Sequence, residues 1–562
     1  LTMIGVACFL STVCQGFGMQ LLVLPVPRSF HVFYFFLLLS TTVLTRFSYR
    51  IYWVLKSGLR KPQGHVYHTL VIGAGEAGSM IIQELKYSAH LNSKVVGVID
   101  DNPHKKGKLI HGVRILGGRE CILDAAKKYE VDEIILAIPS ASPKVTRDIL
   151  RICNQTTCKL KILPGMYQLI TEDVSVSKLR DVSIEDLLGR DPIKVDLESV
   201  RGFIEGRCIM VTGGGGSIGS ELCRQIAKYK PSRLIIFDIY ENNAYDIQQE
   251  LKLNHPELNL TVLIGSVRNT SRIESVIETY RPDVIYHAAA HKHVPLMEDS
   301  PNEAIKNNVL GTWKIVQAAD RYGVKKFVMI STDKAVNPTN IMGASKRMCE
   351  MIIQTFNRYS KTEYVAVRFG NVLGSNGSVI PLFKRQMAAG GPLTVTHPDI
   401  IRYFMTIPEA VSLVLEAGAF AKGGEIFVLD MGEPVKIADL AKNLIRLSGY
   451  TLGVDMDIKY TGLRPGEKLY EELLVKEEGI QKTENNLIYI GKPLEFNEVH
   501  FLSGLRELEE AAMNESLNVK QIVSEIVPTY HIRQEDLKRD EEVNKELREL
   551  GKISHEKPVM ED

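Results

Sequence analysis

Two adjacent residues of opposite charge, Asp333 and Lys334, follow a hydrophobic run that ends in Ser331-Thr332. The run 326–331 predicts a buried strand, and sheets of alternating strands and helices bind ligands where their strands end. A carboxyl and an amine held side by side at such a place can give and take protons. An isolated Asp-Lys pair is more often a surface turn, but the preceding strand favours a site.

A glycine-rich run, Thr212–Gly219, stands between a predicted strand and a predicted helix, with Gly213, Gly216 and Gly219 evenly spaced. Glycine allows a tight turn and a close approach to a pyrophosphate, whose charge the helix N-terminus stabilises. Asp238 ends the next strand, where an acid can bind adenosine ribose hydroxyls and repel a 2′-phosphate. The pattern predicts an NAD site rather than an NADP site.

An earlier run repeats this pattern. Gly73, Gly75 and Gly78 follow a short hydrophobic strand, and Asp100 ends the next one. A nucleotide could bind there, but no catalytic set follows in that part of the chain. A structural or regulatory role is an equally good interpretation.

These motifs must be positioned by strands and helices that alternate along the chain, which indicates an α/β protein with parallel, doubly wound sheets. We expect a first Rossmann-like domain at 66–165, a connector at 166–205 and an NAD-binding catalytic domain with a nucleotide-sugar subdomain at 206–500. The tail, 501–562, is helical and highly charged, and beyond about residue 535 it is either a solvated helix or disordered.

The N-terminal part, 1–65, has a different composition. Residues 1–27 and 29–45 carry no charge, and each run is about long enough to cross a bilayer, the second only marginally. Basic residues follow the second run, which places that end in the cytoplasm. The sequence therefore predicts transmembrane helices and a juxtamembrane linker. The alternatives are a signal peptide or a buried helical hairpin, and because the chain begins with Leu1, earlier spans could precede it.

Composition excludes several classes of function. The 562 residues have a net charge of +1, and no basic run stands beside spaced aromatic residues, so we expect no nucleic-acid binding. The eight cysteines are scattered and are interpreted as reduced thiols. The pair His291 and His293 lacks a third ligand, so no metal is expected.

Longer strings resemble a known family. The chain is similar to the extended short-chain dehydrogenase/reductase superfamily and, within it, to the membrane-bound UDP-N-acetylglucosamine 4,6-dehydratases of the CapD type. The resemblance covers about residues 1–500. The strings that carry it are Ala288–Pro295, Ser331–Pro338, Met342–Lys346, Arg368–Gly377 and Leu463–Lys468.

The resemblance implies dehydration of a UDP-N-acetylhexosamine, UDP-N-acetylglucosamine above all, to a 4-keto-6-deoxy sugar. Asp333 would be the acid, Lys334 the base, and Thr332 would lie near the C4 oxygen. Lys334 must then be neutral and Asp333 protonated, and burial with nearby positive charges would lower the pKa of Lys334. Met342 replaces the usual catalytic Tyr, while Lys346 is kept. The group that takes the C4 hydroxyl proton stays open.

The resemblance also implies binding residues and a location. We expect a homo-oligomer, with UDP-sugar and lipid bilayer as partners, and a multi-pass protein of the bacterial inner membrane whose catalytic domains face the cytoplasm. Lys346 would also bind the nicotinamide ribose. The other expected cofactor residues are Gly213, Gly216, Ser217, Ile218, Gly219, Asp238, Ala288, Ala289, Ala290 and Asn308. The expected substrate residues are His293, Asn371, Arg402, Arg464 and Glu467.

Two other functions compete with this one. A UDP-sugar 4-epimerase or decarboxylase of the same superfamily needs the Tyr that Met342 replaces. A non-catalytic membrane scaffold for polysaccharide assembly would have no reason to keep Asp333, Lys334 and Lys346.

Overall fold

The computed structural model describes residues 2–22, 26–58, 66–87, 92–164, 175–188, 197–472, 480–491 and 496–532. The chain divides into two compact units, Leu1–Ala141 with Ile149–Val182, and Ser142–Asp148 with Ser183–Asp562. The boundary between the two units, at 182–183, falls inside the expected connector 166–205. Its residues 166–174 and 189–196 lie outside the described parts.

Two helices open the chain, α1 (Thr2–Leu21) and α2 (Arg28–Gly58). They pack against each other, with the rings of Phe9 and Phe35 edge to face at 6.5 Å between centroids. Among the described residues, one segment, Ser29–Tyr49, is long and apolar enough to cross a membrane, and none of it is buried. The apolar helix Gly5–Leu21 is shorter, so the expectation of several spans is supported for one helix, and Ser29–Tyr49 is not a buried hairpin.

The rest of the first unit is a seven-stranded sheet in the order β3-β4-β2-β1-β5-β6-β7. Its inner strands are parallel, as predicted, and β3 and β7 pair antiparallel at the edges. The remaining elements of this unit, with α5 divided between the two units, are β1 (Tyr67–Ile72), α3 (Glu76–Tyr87), β2 (Ser93–Ile99), β3 (Leu109–Ile110), β4 (Val113–Gly117), α4 (Ile122–Lys128), β5 (Glu133–Leu136), α5 (Pro143–Cys153), β6 (Lys159–Ile162) and β7 (Arg180–Asp181).

The second unit contains a nine-stranded sheet in the order β10-β9-β8-β11-β12-β13-β18-β22-β21. Its first part is the following: α6 (Ile184–Leu188), α7 (Leu197–Ile204), β8 (Cys208–Thr212), α8 (Ser217–Lys228), β9 (Arg233–Asp238), α9 (Glu241–Asn254), β10 (Leu260–Ile264), α10 (Thr270–Tyr280), β11 (Val284–His287), α11 (Val294–Asp299), α12 (Pro301–Ala304), a π-helical turn (Ile305–Leu310), α13 (Gly311–Arg321), β12 (Lys326–Thr332), α14 (Ile341–Asn357) and β13 (Glu363–Phe369).

Its second part holds short strands and the last helices: β14 (Asn371–Val372), α15 (Val379–Ala388), β15 (Leu393–Val395), β16 (Ile401–Arg402), β17 (Phe404–Met405), α16 (Ile407–Phe420), β18 (Ile426–Leu429), β19 (Val435–Lys436), α17 (Ile437–Leu447), β20 (Ile458–Tyr460), β21 (Ile480–Lys482), β22 (Ile488–Gly491), α18 (Glu498–Met513) and α19 (Val519–Ile526).

The strands β10-β9-β8-β11-β12-β13 run parallel in the order of a doubly wound nucleotide-binding sheet. Strand order reverses between β8 and β11, so the loops that follow β8, β11 and β12 open on the same edge, where such sheets bind ligands. Apolar helices cover both faces. In the first part of the expected tail, α18 and α19 bury Phe501, Leu505 and Val523 in this core. Residues 533–562 lie outside the described parts.

Candidate active site

The glycine turn follows β8, as predicted. Gly213 has a φ of +68°, and a Cβ added there would lie 2.7 Å from the backbone nitrogen of Ala289. A Cβ on Gly219 would lie 2.0 Å from the carbonyl oxygen of Gly213. Glycine is therefore required at both positions, and the turn presses against Ala288-Ala289 at the end of β11. Helix α8 begins at Ser217, directly after this turn, so its first N–H groups are available to a phosphate.

Asp238 lies where β9 ends and is buried. Its carboxylate accepts hydrogen bonds from the backbone nitrogens of Gly215 and Tyr240, both at 2.8 Å. It makes no ion pair with a described residue, so its negative charge stays uncompensated beside the glycine turn. A carboxylate has lone pairs beyond these two contacts, which ribose hydroxyls can use.

Asn308 connects the loop after β11 to helix α14. Its side chain accepts a hydrogen bond from the His291 nitrogen at 2.8 Å and donates to the His291 carbonyl and to Ser345 Oγ, each at 3.0 Å. It lies in the π-helical turn, a distortion that is frequent at functional sites. Asn308 thus fixes the path of the loop from Ala290 to His293.

Lys346 projects from α14 one turn after Met342, and both side chains are buried. Burial lowers the pKa of Lys346, although the charges of Cys349 and Glu350 oppose it. Its ammonium has no hydrogen-bond partner among the described residues. A buried ammonium with free donors fits the hydroxyls of a ribose. The thioether of Met342 cannot take a proton at this place, where a Tyr hydroxyl would.

Asp333 and Lys334 begin a short 3₁₀ turn directly after β12. Asp333 is only 2% exposed, and its Oδ1 accepts hydrogen bonds from Thr332 Oγ1 at 2.8 Å and from Lys334 Nζ at 3.1 Å. The interpretation as a surface turn is therefore wrong. The position after a central strand is the reason, since it buries Asp333 fully and leaves the Lys334 side chain 22% exposed.

A carboxyl that the sequence analysis missed completes this group. Glu471 Oε1 lies 2.6 Å from Lys334 Nζ and 3.2 Å from Arg402 Nε. Its Oε2 accepts a hydrogen bond from Asn371 Nδ2 at 3.0 Å. The string Leu463–Lys468 drew attention to this loop, but nothing in the sequence distinguishes Glu471 from its exposed neighbour Glu472.

Protonation in this cluster differs from the expectation. Burial acts to lower the pKa of Lys334, but the charges of Asp333 and Glu471 outweigh it and raise that pKa. Burial acts to raise the pKa of Asp333, but the Lys334 ammonium and hydrogen bonds outweigh it and lower that pKa. Lys334 is thus a cation and Asp333 an anion, the reverse of the expected states. The negative charge of Glu471, which was not foreseen, is a main reason for the cationic Lys334.

Among the five expected substrate residues, Arg402 is held by the protein. Its guanidinium contacts Glu467 at 3.4 Å and donates to the backbone carbonyls of Ile401, Lys468 and Leu469. With Glu471 as a further partner, few donors remain for a ligand. Arg402 therefore anchors the 464–472 loop to β16.

Arg464 is different, because its side chain is 55% exposed and its described contacts are to Glu467. It remains able to meet a phosphate. His293 lies against Gly377, where an added Cβ would be 2.4 Å from the imidazole ring. The structure thus brings Asn371 to the Asp333–Lys334 pair, and places Arg464 at the rim.

Residues 209–493 match the model of a family described as "Polysaccharide biosynthesis protein", and residues 1–164 match a model described as "CoA-binding domain". The capsular polysaccharide biosynthesis protein CapD of Staphylococcus aureus is 51% identical over 75% of this chain and 71% of its own length. The chain belongs to the CapD-type polysaccharide biosynthesis proteins.

Relatives named for an enzymatic reaction are more distant. A UDP-glucose 4-epimerase of Rickettsia canadensis is 34% identical over 59% of this chain and 98% of its own length. A UDP-N-acetylglucosamine 4,6-dehydratase (inverting) of Campylobacter jejuni is 33% identical over 49% of this chain and 80% of its own length. Similarity to the two is nearly equal, so the residues of the CapD-type site must distinguish epimerisation from dehydration.

Proposed function

We propose that this protein is a membrane-associated, NAD-dependent 4,6-dehydratase of a UDP-N-acetylhexosamine, with UDP-N-acetylglucosamine as the foremost substrate. The observation that carries the proposal is the buried group of Asp333, Lys334 and Glu471 at the end of β12. Elimination of water from a sugar needs a base and an acid on neighbouring carbons, and this group contains both.

The residues of the second unit fit NAD. Gly213 and Gly219 leave room for a pyrophosphate, Asp238 offers a carboxylate to the adenosine ribose, and Lys346 offers an unpaired ammonium to the other ribose. NAD supplies the hydride acceptor for sugar C4 and the hydride donor for sugar C6. Ser217 and Ile218 at the start of α8, with Ala288, Ala289 and Ala290 after β11, form the remaining wall.

Asp333 takes the proton of the C4 hydroxyl in this proposal. The pKa of Asp333 is lowered, its side chain is buried, and its Oδ2 accepts no hydrogen bond from a described N–H group or hydroxyl, although the Glu471 carboxyl lies within hydrogen-bonding reach of Asp333. Thr332 donates to the other oxygen and orients the carboxyl. Once it has received this proton, Asp333 is the acid that protonates the departing C6 hydroxyl. The proposal thus gives Asp333 the acid role expected from the family and adds the role of acceptor for the C4 proton.

Lys334 takes the C5 proton. The carbonyl formed at C4 acidifies C5, and an amine is a sufficient base once it is neutral. When Asp333 accepts the C4 proton, Lys334 loses one of the two negative charges that raise its pKa, so burial weighs more heavily and favours the neutral amine. Asn371, 3.4 Å from Nζ, orients the side chain.

Met342 distinguishes this reaction from 4-epimerisation. An epimerase of the superfamily uses a Tyr hydroxyl as its base, and Met342 offers none at the matching position. For the nucleotide, Arg464 at the rim supplies planar donors suited to a diphosphate, with His293 nearby on the loop after β11. Arg402 and Glu467 act by holding the 464–472 loop, which carries Arg464, in place.

Association with a membrane rests on Ser29–Tyr49, whose apolar side chains point outward. From the basic residues in the sequence near and after the C-terminal end of this segment, we infer that this end faces the cytoplasm.

The test of the reaction is product analysis by NMR after incubation of the full protein with UDP-N-acetylglucosamine in deuterated water. We expect a 4-keto-6-deoxy sugar that carries deuterium at C5. Lys334→Ala should oxidise C4 yet lose C5 exchange, and Asp333→Asn should lose both, each by about two to four orders of magnitude. A C4 epimer without loss of water would overturn the dehydratase and favour the epimerase.

A further inference from the structure

Glu471 is a buried carboxyl at the centre of the site. The proposed reaction assigns proton transfers to Asp333 and Lys334 but none to Glu471. Its side chain is only 3% exposed, and it contacts Lys334, Arg402 and Asn371. A buried carboxyl is costly unless its charge is used or neutralised, so its place beside a reacting amine calls for a role.

The two oxygens of Glu471 have different surroundings. Oε2 accepts a hydrogen bond from Asn371. Oε1 has cations nearby, with Lys334 Nζ at 2.6 Å, but makes no aligned hydrogen bond with a described residue. Oε1 therefore keeps a lone pair beside the lysine amine, within the distance over which a proton passes directly between two heavy atoms.

Asp333 and Glu471 flank the same lysine, and two carboxylates that share a site resist being ionised together. Burial, with the charge of Asp333, raises the pKa of Glu471 to about 7, although Lys334 acts against the rise. Near neutral pH, Glu471 can therefore change its protonation state at small cost in free energy. Neither Asp333 nor Lys334 has this property.

We propose that Glu471 receives the proton of Lys334 during the reaction and so frees the lysine amine to take the proton from sugar C5. This inference rests on the proposed dehydration. Glu471 acts through Lys334 and is a positioning residue for protons, with no contact to the sugar required.

Asp333 takes the C4 hydroxyl proton, which leaves Lys334 and Glu471 as a buried ion pair. A proton moves from Nζ to Oε1 and gives a neutral pair, which burial favours over separated charges. The C5–H bond breaks, its proton goes to Nζ, and its electron pair forms the C5–C6 double bond. The C6–O bond breaks, and hydroxide leaves as water with the proton from Asp333. After reduction at C6, Lys334 returns a proton to C5, and Glu471 returns its proton to Lys334.

The test compares Glu471→Gln with Glu472→Gln in the full protein. Glutamine preserves the shape of Glu471 but cannot receive the proton. We expect Glu471→Gln to retain C4 oxidation, measured by reduced-nicotinamide absorbance in a single turnover, and to lose C5 deuterium exchange by about two to four orders of magnitude. Glu472 is half exposed and faces Asn337 and Lys468, so its variant should match wild type in both.

Glu471→Asp should restore part of the exchange, because it keeps a carboxylate. If Glu471→Gln does not fold, Glu471→Asp tests the inference by itself. We then expect C5 exchange below the wild-type rate, with C4 oxidation retained. Exchange at the wild-type rate in Glu471→Gln, or equal loss of oxidation and exchange in both variants, would overturn the inference. A wild-type protein that makes no 4-keto-6-deoxy sugar would instead overturn the proposed function.

The pH dependence of C5 deuterium exchange is a further test, because a purely structural role of Glu471 would not affect it. Glu471 must be ionised to receive the proton, so C5 exchange in the wild type should rise with pH through about 7. Glu471→Gln should lack this limb. The charged groups that face Glu471 are Asp333 and Lys334 after β12, Arg402 on β16 and Lys468 on its own loop, while Lys292 faces Lys334 from the loop after β11.

Discussion

The two Rossmann-like units build the same glycine turn. In the first unit, Gly73 has a φ of +108°, and a Cβ on Gly78 would lie 1.9 Å from the Gly73 carbonyl oxygen. In the second unit, Gly219 has the same relation to Gly213 at 2.0 Å. The acid at the end of the next strand also repeats, since Asp100 accepts a hydrogen bond from the nitrogen of Ala74, as Asp238 does from that of Gly215.

The units differ in what surrounds that acid. Asp100 forms an ion pair with Lys105 at 3.0 Å, and the same ammonium donates to the Ala74 carbonyl. Burial acts to raise the pKa of Asp100, but hydrogen bonds from Asn102 and Ala74, with Lys105, lower it. Asp238 has no such cation among the described residues. A carboxylate without a paired cation can accept hydrogen bonds from ribose hydroxyls and repel a 2′-phosphate. A carboxylate paired with a lysine repels a 2′-phosphate less.

They differ again at the ends of their central strands. β12 is followed by Asp333 and Lys334, while β6, which has the matching position in the first sheet, is followed by Leu163 and Pro164. Both units thus have a glycine turn and an acid in the arrangement typical of nucleotide-binding sites. Acid–base groups at a neighbouring strand end are found in the second, which is the part that the proposed reaction needs.

The largest contrast is expected from the same substitution in each glycine turn. Gly219→Ala places a Cβ on the Gly213 carbonyl and shifts the turn that holds the pyrophosphate. We expect loss of bound NAD and a fall in turnover of about a hundredfold or more, the cost of misplacing reacting groups by about 1 Å. Gly78→Ala should lower the melting temperature of the first unit and leave the NAD content unchanged. NAD content after purification and calorimetry of both variants check this, and loss of NAD from Gly78→Ala would place the cofactor in the first unit.

The second contrast concerns the buried ion-pair group around Glu350, which contacts Ser331 on β12. Ser331 Oγ donates to Glu350 at 2.7 Å, Arg368 makes two bonds of 2.7 Å to it, and Arg347 one of 2.9 Å. Glu350→Gln removes the buried negative charge that both guanidinium groups contact, which should cost about 3–5 kcal/mol in free energy of unfolding. Asp399→Asn, which breaks an exposed pair with Lys436, should cost less than about 1 kcal/mol. Equal effects in denaturant titrations would contradict the supporting role.

Acid should weaken the same support. Burial acts to raise the pKa of Glu350, but Arg368 outweighs it and lowers the pKa from 4.5 to about 2. A carboxyl whose folded-state pKa is depressed contributes stability that is complete above about 4.5 and is lost as the pH falls towards 2. The melting temperature of the second unit should therefore decrease over that pH range in the wild type, and it should decrease less steeply in Glu350→Gln.

The fold was largely predictable from the sequence, because buried parallel strands are continuous apolar runs. The predicted strand 326–331 lies within β12 (Lys326–Thr332). β18 and its antiparallel neighbours β22 and β21 were not predicted, nor was the π-helical turn at Asn308, since short strands and helix distortions leave little periodicity. Of the expected membrane spans, Ser29–Tyr49 is long and apolar enough among the described residues, and a second span stays a prediction.

The site was predictable where residues are adjacent in sequence. Asp333 and Lys334 were found through the strand before them. Glu471 was missed because it reaches the pair from a loop more than a hundred residues later, and the protonation states were wrong for that reason. Arg402 was expected to meet phosphate, but the partners that occupy it become visible only in three dimensions.

The smallest effect is expected from the charge of Asp238, and it bears directly on how the two acids differ. Asp238→Asn keeps an oxygen for one of the two backbone nitrogens but removes the charge that repels a 2′-phosphate. NAD affinity should fall modestly, and the preference for NAD over NADP should narrow about tenfold, which corresponds to about 1.4 kcal/mol. Asp100→Asn should leave this preference unchanged, because Asp100 lies in the other unit and is already neutralised by Lys105. Dissociation constants for both cofactors, measured by calorimetry on each variant, check the contrast. An unchanged ratio in Asp238→Asn, or NADP bound to the purified wild type, would show that the uncompensated carboxylate does not select the cofactor.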